Sequence, residues 1–185
     1  MAPHIQIHLV CGATGAGKST YAEQLARDLG AVRFSIDEWM ERLHNPDRPE
    51  ALLYEWFYER VQRNCQQMRA MAQQLVRINT PAVFDCGLTN RAERAIFADW
   101  AEDMGYSCQL HFVDVPVETR WARVEKRNVE QAETFQFQVT RDMFDFIQSI
   151  WEPPTRAEMT RLNGLRISTW SHLQADRGTR RFQPD

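Results

Sequence analysis

Residues 5–20 read IQIHLVCGATGAGKST, a short apolar run followed by a glycine-rich loop. Residues 5–11 are apolar and β-branched over the length of a strand, which predicts a buried β-strand. Residues 12–19 match the pattern GxxxxGK[ST], and residues 18–29 have a helical pattern that ends before Gly30. A strand, this loop and a helix in direct succession are the context that makes the pattern specific for a phosphate-binding loop, or P-loop.

The chemistry of such a loop comes from its backbone. Glycines allow consecutive N–H groups to converge on an anion, and the positive end of the following helix adds to their attraction for phosphate. We expect the Lys18 side chain to reach the β- and γ-phosphates of ATP and to serve catalysis, and the Ser19 hydroxyl to bind Mg²⁺. The predicted ATP-binding residues are Gly12, Ala13, Thr14, Gly15, Ala16, Gly17, Lys18, Ser19 and Thr20.

The rest of the chain alternates short strand-like runs with longer helical ones. The predicted strands are residues 5–11, 31–35, 82–85, 107–113 and 165–169. The predicted helices are residues 18–29, 38–43, 50–78, 91–104, a segment beginning at Pro116, and residues 140–151. Strands separated by helices predict a three-layer α/β/α fold with a five-stranded parallel sheet. We expect one domain over residues 1–174 and a loose C-terminal tail over residues 175–185.

Composition excludes several other classes of protein. The 185 residues carry a net charge of −3 without an acidic or basic half, which argues against binding to long duplex nucleic acid. The four cysteines lack the spacing of a zinc site and indicate reduced thiols. Because we find neither a signal peptide nor an apolar run long enough to cross a bilayer, we expect a cytoplasmic protein without a membrane partner.

Three classes of nucleotide-binding protein compete at this point. A GTPase needs an NKxD-type segment that reads guanine, and the sequence contains none. An ATP-driven motor usually has a second acid directly after the aspartate that ends its Walker B strand. Here the third predicted strand ends in Asp85, and the next residue is Cys86. A kinase needs a base for the acceptor hydroxyl and cations near the transferred phosphoryl group, and the sequence has candidates for both.

Four segments carry a resemblance to a known family: GATGAGKST (residues 12–20), FSIDEW (34–39), FDCGLTNRAER (84–94) and FVDVPVETRWARVEKRN (112–128). They resemble the P-loop kinase family of AAA-type, zeta-toxin-like kinases, which is similar to polynucleotide kinase domains and chloramphenicol phosphotransferase. The resemblance runs from residue 5 to about residue 169. It implies a P-loop NTPase fold with a helical lid and Mg-ATP-dependent phosphorylation of a hydroxyl, but it leaves the acceptor open.

Two acids follow predicted strands. The resemblance implies that Asp37 faces the acceptor as general base, whereas the helical run after it also allows an N-cap role. Asp85 ends the next strand at the same edge of the sheet, where it could support Mg²⁺ or orient the substrate. A purely structural role for Asp85 stays open.

Arginines are the candidate cations. Arg120, Arg123 and Arg127 have the spacing of one helix face, and the resemblance implies that lid arginines fold over the ATP phosphates. We prefer Arg120 and Arg127 as catalytic residues, with Arg120 also binding ATP and residues 115–138 as the candidate lid. The alternative is a solvated face paired with glutamates. Arg91 and Arg94 fall in the first turn of a helix, where an anionic substrate or pairing with Glu93 or Asp99 would explain them.

The acceptor is not determined by these residues. Glu38 and Glu41 next to the predicted base would repel a nucleic-acid phosphate, so we favour a small polar molecule with a hydroxyl. A polynucleotide 5′-hydroxyl kinase and a zeta-toxin-like kinase with an antitoxin partner remain alternatives. A non-catalytic ATP-binding module or an ATPase is the second alternative.

Overall fold

The computed structural model describes residues 5–49, 54–130 and 138–168. Five parallel strands form one sheet in the order β2-β3-β1-β4-β5. In chain order the strands are β1 (Ile7–Cys11), β2 (Val32–Ser35), β3 (Ala82–Asp85), β4 (Cys108–Val113) and β5 (Leu165–Ile167). Because all strands are parallel, their carboxyl ends lie at one edge, where open α/β sheets bind ligands.

Seven helices connect or follow these strands within the described residues. They are α1 (Lys18–Leu29), α2 (Ile36–Leu43), α3 (Tyr54–Arg77), α4 (Arg91–Asp103), α5 (Val117–Glu130), α6 (Arg141–Ile150) and α7 (Arg156–Arg161). A short 3-10 helix, Asn45–Asp47, follows α2. The three-layer α/β/α architecture predicted from the strand–helix alternation is confirmed.

The two faces of the sheet bury different residues. Ile7 and Leu9 of β1 pack in the larger core together with residues of α3 and α4, whereas Val10 packs in a second core with Ala22 and Ala26 of α1. This alternation follows from the two-residue period of a strand. All of β1 is buried, as expected of a central strand covered on both faces.

Residues at the strand ends determine where two site helices begin. The helix α1 starts directly after Gly17 and ends at Gly30, which has the left-handed φ of 61° that favours glycine. The Ser35 hydroxyl caps α2 by accepting a hydrogen bond from the Glu38 amide at 3.4 Å. Asp37 therefore lies in the first turn of α2, and the N-cap role belongs to Ser35.

Some expected features differ or lie outside the described residues. Helix α7 was not predicted, because Pro153 and Pro154 indicate a stop and the helix has only six residues. The helix expected from Pro116 begins at Val117. The start of the long predicted helix at residues 50–53, residues 131–137 of the expected lid, the expected boundary at residue 174 and the tail at residues 175–185 lie outside the described residues.

No helix within the described ranges combines the length and the apolar character needed to cross a bilayer.

Candidate active site at the P-loop

The loop between β1 and α1 has the backbone of an anion-binding nest. Gly15 and Gly17 adopt φ values of 80° and 93°, which only glycine adopts without strain. The Ala16 amide donates to the Ala13 carbonyl at 3.1 Å and closes a turn inside the loop. A Cβ atom on Gly15 would lie 2.5 Å from the Arg120 carbonyl oxygen. The glycine is therefore required both by its conformation and by the close approach of α5.

Lys18 lies in this loop beside both predicted acids. Its ammonium group donates to the Ala13 carbonyl at 3.4 Å. Burial lowers the pKa of Lys18, while the nearby carboxylates of Asp85 and Asp37 act in the opposite direction. A lysine held by a weak contact to the loop is available to a bound polyphosphate.

Asp85 ends β3 next to the start of α1. The Ser19 hydroxyl donates a hydrogen bond to its carboxylate, and among the described residues its Oδ2 atom has no hydrogen-bond partner although it is buried. Burial raises the pKa of the Asp85 carboxyl; Lys18 opposes this effect and Asp37 adds to it. A hydroxyl and a carboxylate oxygen without a partner are ligands that suit Mg²⁺, so these two residues fit that ion.

Asp37 is the second acid that interacts with Lys18. Its side chain is open to solvent, and surrounding protein atoms nevertheless raise the pKa of its carboxyl by desolvation, against the attraction of Lys18 and Arg127. Solvent that reaches the carboxylate moderates the rise. The site thus brings Lys18, Asp37, Asp85 and Arg127 into one electrostatic cluster.

Arg33 is a member of this site that sequence reasoning missed. Its guanidinium donates to the Ser19 carbonyl at 3.2 Å and forms a salt bridge with Glu38. Its positive charge also opposes the rise that burial causes in the pKa values of Asp37 and Asp85. Arg33 lies on β2 just before the acid-bearing helix, but a single arginine in a short strand gives no signal of its own.

The three arginines of α5 have different partners. Arg120 is 5% exposed and donates to the Thr14 and Val115 carbonyls and to Gln148. Arg123 donates to the Ala16 carbonyl at 3.1 Å. Arg127 has a buried Nε atom that lacks a hydrogen-bond partner among the described residues, and its charge interacts with that of Asp37. Of the three, Arg127 has the free donor in the cluster.

The hydrogen-bond partners of the two α4 arginines lie outside the P-loop. Arg91 is exposed, and its amide donates to Glu152 at 2.8 Å. Arg94 is 1% exposed, forms a salt bridge with Glu158 at 2.8 Å and donates to the Leu88 and Glu152 carbonyls. Pairing explains Arg94, but the partner is neither of the two acids considered above. No contact in the described ranges links Arg91 to the cluster, so its role toward substrate stays a prediction.

A cavity of about 320 Å³ lies beside the loop. Its lining includes Ala13, Asp114, Arg120, Gln148 and Trp151. Ala13 thus contributes to the cavity lining and also accepts a hydrogen bond from the Lys18 ammonium through its carbonyl.

A five-stranded parallel sheet with a glycine nest after β1 and a lysine and a serine at the start of α1 defines a P-loop NTPase fold. The model of the AAA domain family matches residues 7–154, and the chain belongs to that family. No curated protein sequence matches the chain significantly.

Solved structures of similar fold include two nucleotide complexes and a gluconokinase. APS kinase CysC of Mycobacterium tuberculosis, in complex with AMPPNP and APS, is 18% identical with a TM-score of 0.61, and 92% of each chain is covered. A gluconokinase from Sinorhizobium meliloti 1021 is 16% identical with a TM-score of 0.60 over 92% of this chain and 86% of that one. Chaetomium thermophilum Kti12, in complex with ADP-AlF3, is 18% identical with a TM-score of 0.61 and 89% of each chain covered. At these identities the likeness establishes the shared fold.

Proposed function

We propose that this protein is a kinase that transfers the γ-phosphate of Mg-ATP to a hydroxyl of a small polar acceptor. One observation carries the proposal: an open carboxylate, Asp37, lies in the same electrostatic cluster as Lys18 and Arg127 beside the P-loop. Binding of a nucleotide requires no such acid. Transfer to a hydroxyl does, because the hydroxyl must lose its proton as it attacks.

The loop supplies the nucleotide site. Backbone N–H groups from Gly12 to Ser19 would hold the phosphates, and Lys18 would leave the Ala13 carbonyl for the β- and γ-phosphates. Ser19 and Asp85 would hold Mg²⁺, which when bound neutralises charge on the phosphate oxygens. The Asp85 Oδ2 atom is free of competing hydrogen bonds within the described residues, which supports this role over a purely structural one.

Asp37 would act as the general base. Its raised pKa makes the carboxylate a stronger proton acceptor than an ordinary aspartate, while the neighbouring cations favour its charged form. Its exposure leaves space for an acceptor. Both properties follow from its place in the first turn of α2, beyond the end of β2.

Arg127 would stabilise the charge on the transferred phosphoryl group. Its Nε atom is buried without a hydrogen-bond partner among the described residues, an arrangement that costs free energy unless an anion supplies the missing acceptor. A phosphoryl group between Lys18, Arg127 and Asp37 would be such an anion.

The alternatives are a motor-like ATPase and a nucleotide-dependent binding module. Cys86, which occupies the position of the second acid of motors, is buried, and a hydrogen bond with Cys65 together with burial raises the pKa of its thiol well above the ordinary value. An uncharged thiol cannot polarise an attacking water. A binding module remains the competing proposal, because a protein of the same fold need not be a kinase.

The acceptor class rests on the charges around Asp37. Glu38 is neutralised by Arg33, so the carboxylate cluster repels an acceptor less strongly than the sequence suggested. APS kinase and gluconokinase have the same fold, and their names describe small acceptors that bear a hydroxyl. A zeta-toxin-like role would add an antitoxin as partner, and a polynucleotide remains the alternative acceptor.

A screen with γ-labelled ATP tests the proposal. Sugars, sugar acids, nucleosides, amino alcohols and a 5′-hydroxyl oligonucleotide would each be incubated with the wild type and with Asp37→Asn. We expect label in at least one small acceptor and its loss in the variant. Label in the oligonucleotide alone would replace the proposed acceptor class, and ATP binding without any transfer would favour the binding module.

A further inference from the structure

Two arginines of α5 donate hydrogen bonds to backbone carbonyls of the P-loop. Arg120 donates from Nη1 to the Thr14 carbonyl at 3.1 Å, and Arg123 donates from Nη1 to the Ala16 carbonyl at 3.1 Å. The helix itself lies against the loop, since a Cβ on Gly15 would also meet the Val124 side chain at 3.0 Å. Both guanidinium groups thus touch backbone oxygens of the loop that is expected to bind phosphate.

Each arginine contacts a peptide group on the side opposite the N–H that would face the anion. In a trans peptide the carbonyl of one residue and the N–H of the next point in opposite directions. The Thr14 carbonyl therefore opposes the Gly15 N–H, and the Ala16 carbonyl opposes the Gly17 N–H. When the N–H groups converge on an anion, the carbonyls face outward, where the two guanidinium groups meet them.

A cation on the carbonyl strengthens the N–H on the other side. Hydrogen-bonded amides polarise one another in chains, and a charged donor gives a stronger bond than a neutral one. The guanidinium also fixes the orientation of the peptide before the ligand arrives. Orientation and polarisation both favour phosphate at Gly15 and Gly17.

Arg120 is built in as a fixed element. Its Nε atom donates to Val115 at 3.0 Å and its Nη2 atom donates to Gln148 on α6 at 2.6 Å. The guanidinium carbon also lies 5.4 Å from the ring centre of Phe144. Moving this side chain over a bound nucleotide would break these bonds in a buried place. Arg123 is partly exposed and has the single carbonyl contact.

We infer that Arg120 and Arg123 are positioning residues that strengthen polyphosphate binding through the Thr14–Gly15 and Ala16–Gly17 peptides, without contact to the nucleotide. The inference rests on one part of the proposed function, the binding of a nucleotide at the P-loop. It separates the three arginines of one helix face into two that act on the loop and one, Arg127, that faces the transferred group.

The test compares the affinities of inorganic tripolyphosphate, Mg-ADP and a non-hydrolysable Mg-ATP analogue by calorimetry. Arg120→Met and Arg123→Met should each weaken all three ligands by a similar factor of about 3 to 10, because a charged hydrogen bond is lost behind the loop. Arg120→Lys and Arg123→Lys should recover part of the loss, since a cation remains. Arg63→Met, an exposed arginine of α3, is the matched control and should leave affinity unchanged.

A spectroscopic readout distinguishes polarisation from general loosening. In a ¹⁵N–¹H spectrum the Gly15 amide resonance should shift in Arg120→Met and the Gly17 amide resonance should shift in Arg123→Met. The Gly17 resonance in Arg120→Met and the Gly15 resonance in Arg123→Met should change little. Unchanged affinity in both methionine variants would overturn the inference. A loss confined to the ATP analogue would also overturn it, because this would indicate direct contact with the γ-phosphate.

Failure of the proposed function gives a different result. Wild-type protein that binds these ligands but phosphorylates nothing removes the kinase proposal and leaves the inference intact, since only affinity is measured. If Arg120→Met does not fold, Arg123→Met and the two lysine variants still decide the question, because the Arg123 side chain is partly exposed.

Discussion

The Ser19 hydroxyl on α1 donates a hydrogen bond to the carboxylate of Asp85, which lies 66 positions later in the chain at the end of β3. The bond links the P-loop helix to the neighbouring strand. It leaves the Oδ2 atom of Asp85 without a hydrogen-bond partner in the described part of the chain.

Asp85→Asn tests the magnesium role of this pair. The amide keeps an oxygen at the site but removes the negative charge that Mg²⁺ prefers. We expect ATP affinity in the presence of Mg²⁺ to fall by roughly tenfold or more, as for other changes around metal ligands. Affinity measured with EDTA should change little. An equal loss with and without Mg²⁺ would assign Asp85 to structure or substrate.

Lys18→Ala tests the phosphate role of the loop lysine. Its contact to the Ala13 carbonyl is long, so the folded structure depends little on it. Phosphoryl transfer should fall by roughly 10² to 10³, the loss expected when one preorganised donor to a developing charge is removed. Initial rates and thermal unfolding would be measured together. Normal turnover in a folded variant would contradict the P-loop assignment.

His111 predicts a pH dependence of stability outside the active site. It accepts or donates bonds to the Tyr21 hydroxyl at 2.7 Å and to His8 at 3.0 Å, and burial followed by repulsion from His8 lowers its pKa from 6.5 to about 3. A lowered folded-state pKa contributes stability above the unfolded pKa, and this contribution is lost as pH falls from about 6.5 toward 3, at about 1.4 kcal/mol per pH unit.

The variant His111→Gln isolates this effect. It should be less stable than the wild type at pH 7.5, because it disturbs two buried hydrogen bonds, and the difference should shrink as pH falls through 6. Urea unfolding at several pH values would give the free energy of unfolding of the wild type and of the variant. A difference that stays constant with pH would show that His111 does not titrate as described.

Nucleotide binding should change the two ends of α5 unequally. Arg120, Arg123 and Val124 contact the loop, so the amides of α5 up to Val124 should be protected from hydrogen exchange without ligand. A non-hydrolysable ATP analogue should add protection mainly near Arg127. Large and uniform protection across Val117–Glu130 would instead support a lid that closes as a whole.

Local patterns predicted the elements that flank the candidate nucleotide site. Helix α1 and strand β3 begin and end where the sequence predicts, because glycines and Pro81 mark their limits. The P-loop context needed only neighbouring residues. The spacing of Arg120, Arg123 and Arg127 correctly indicates one helix face, but spacing alone does not say which surface that face contacts.

Long-range pairing accounts for what sequence reasoning missed. The partner of Arg94 is Glu158, 64 positions later on a short helix, and no local pattern connects them. Arg33 similarly joins the site through the Ser19 carbonyl of α1, 14 positions earlier in the chain. Such contacts become visible only when the sheet brings distant strand ends together.

The central claim, that the site transfers phosphate to a hydroxyl, is tested most directly by measuring both products of ATP at once. With a responsive acceptor, ³¹P NMR follows the phosphorylated acceptor and inorganic phosphate in the wild type and in Asp37→Asn. We predict that the wild type forms mainly the phosphorylated acceptor, and that the variant loses this product by roughly 10² or more while its ATP affinity is unchanged. Release of inorganic phosphate at the same rate in both proteins, independent of any acceptor, would contradict the claim.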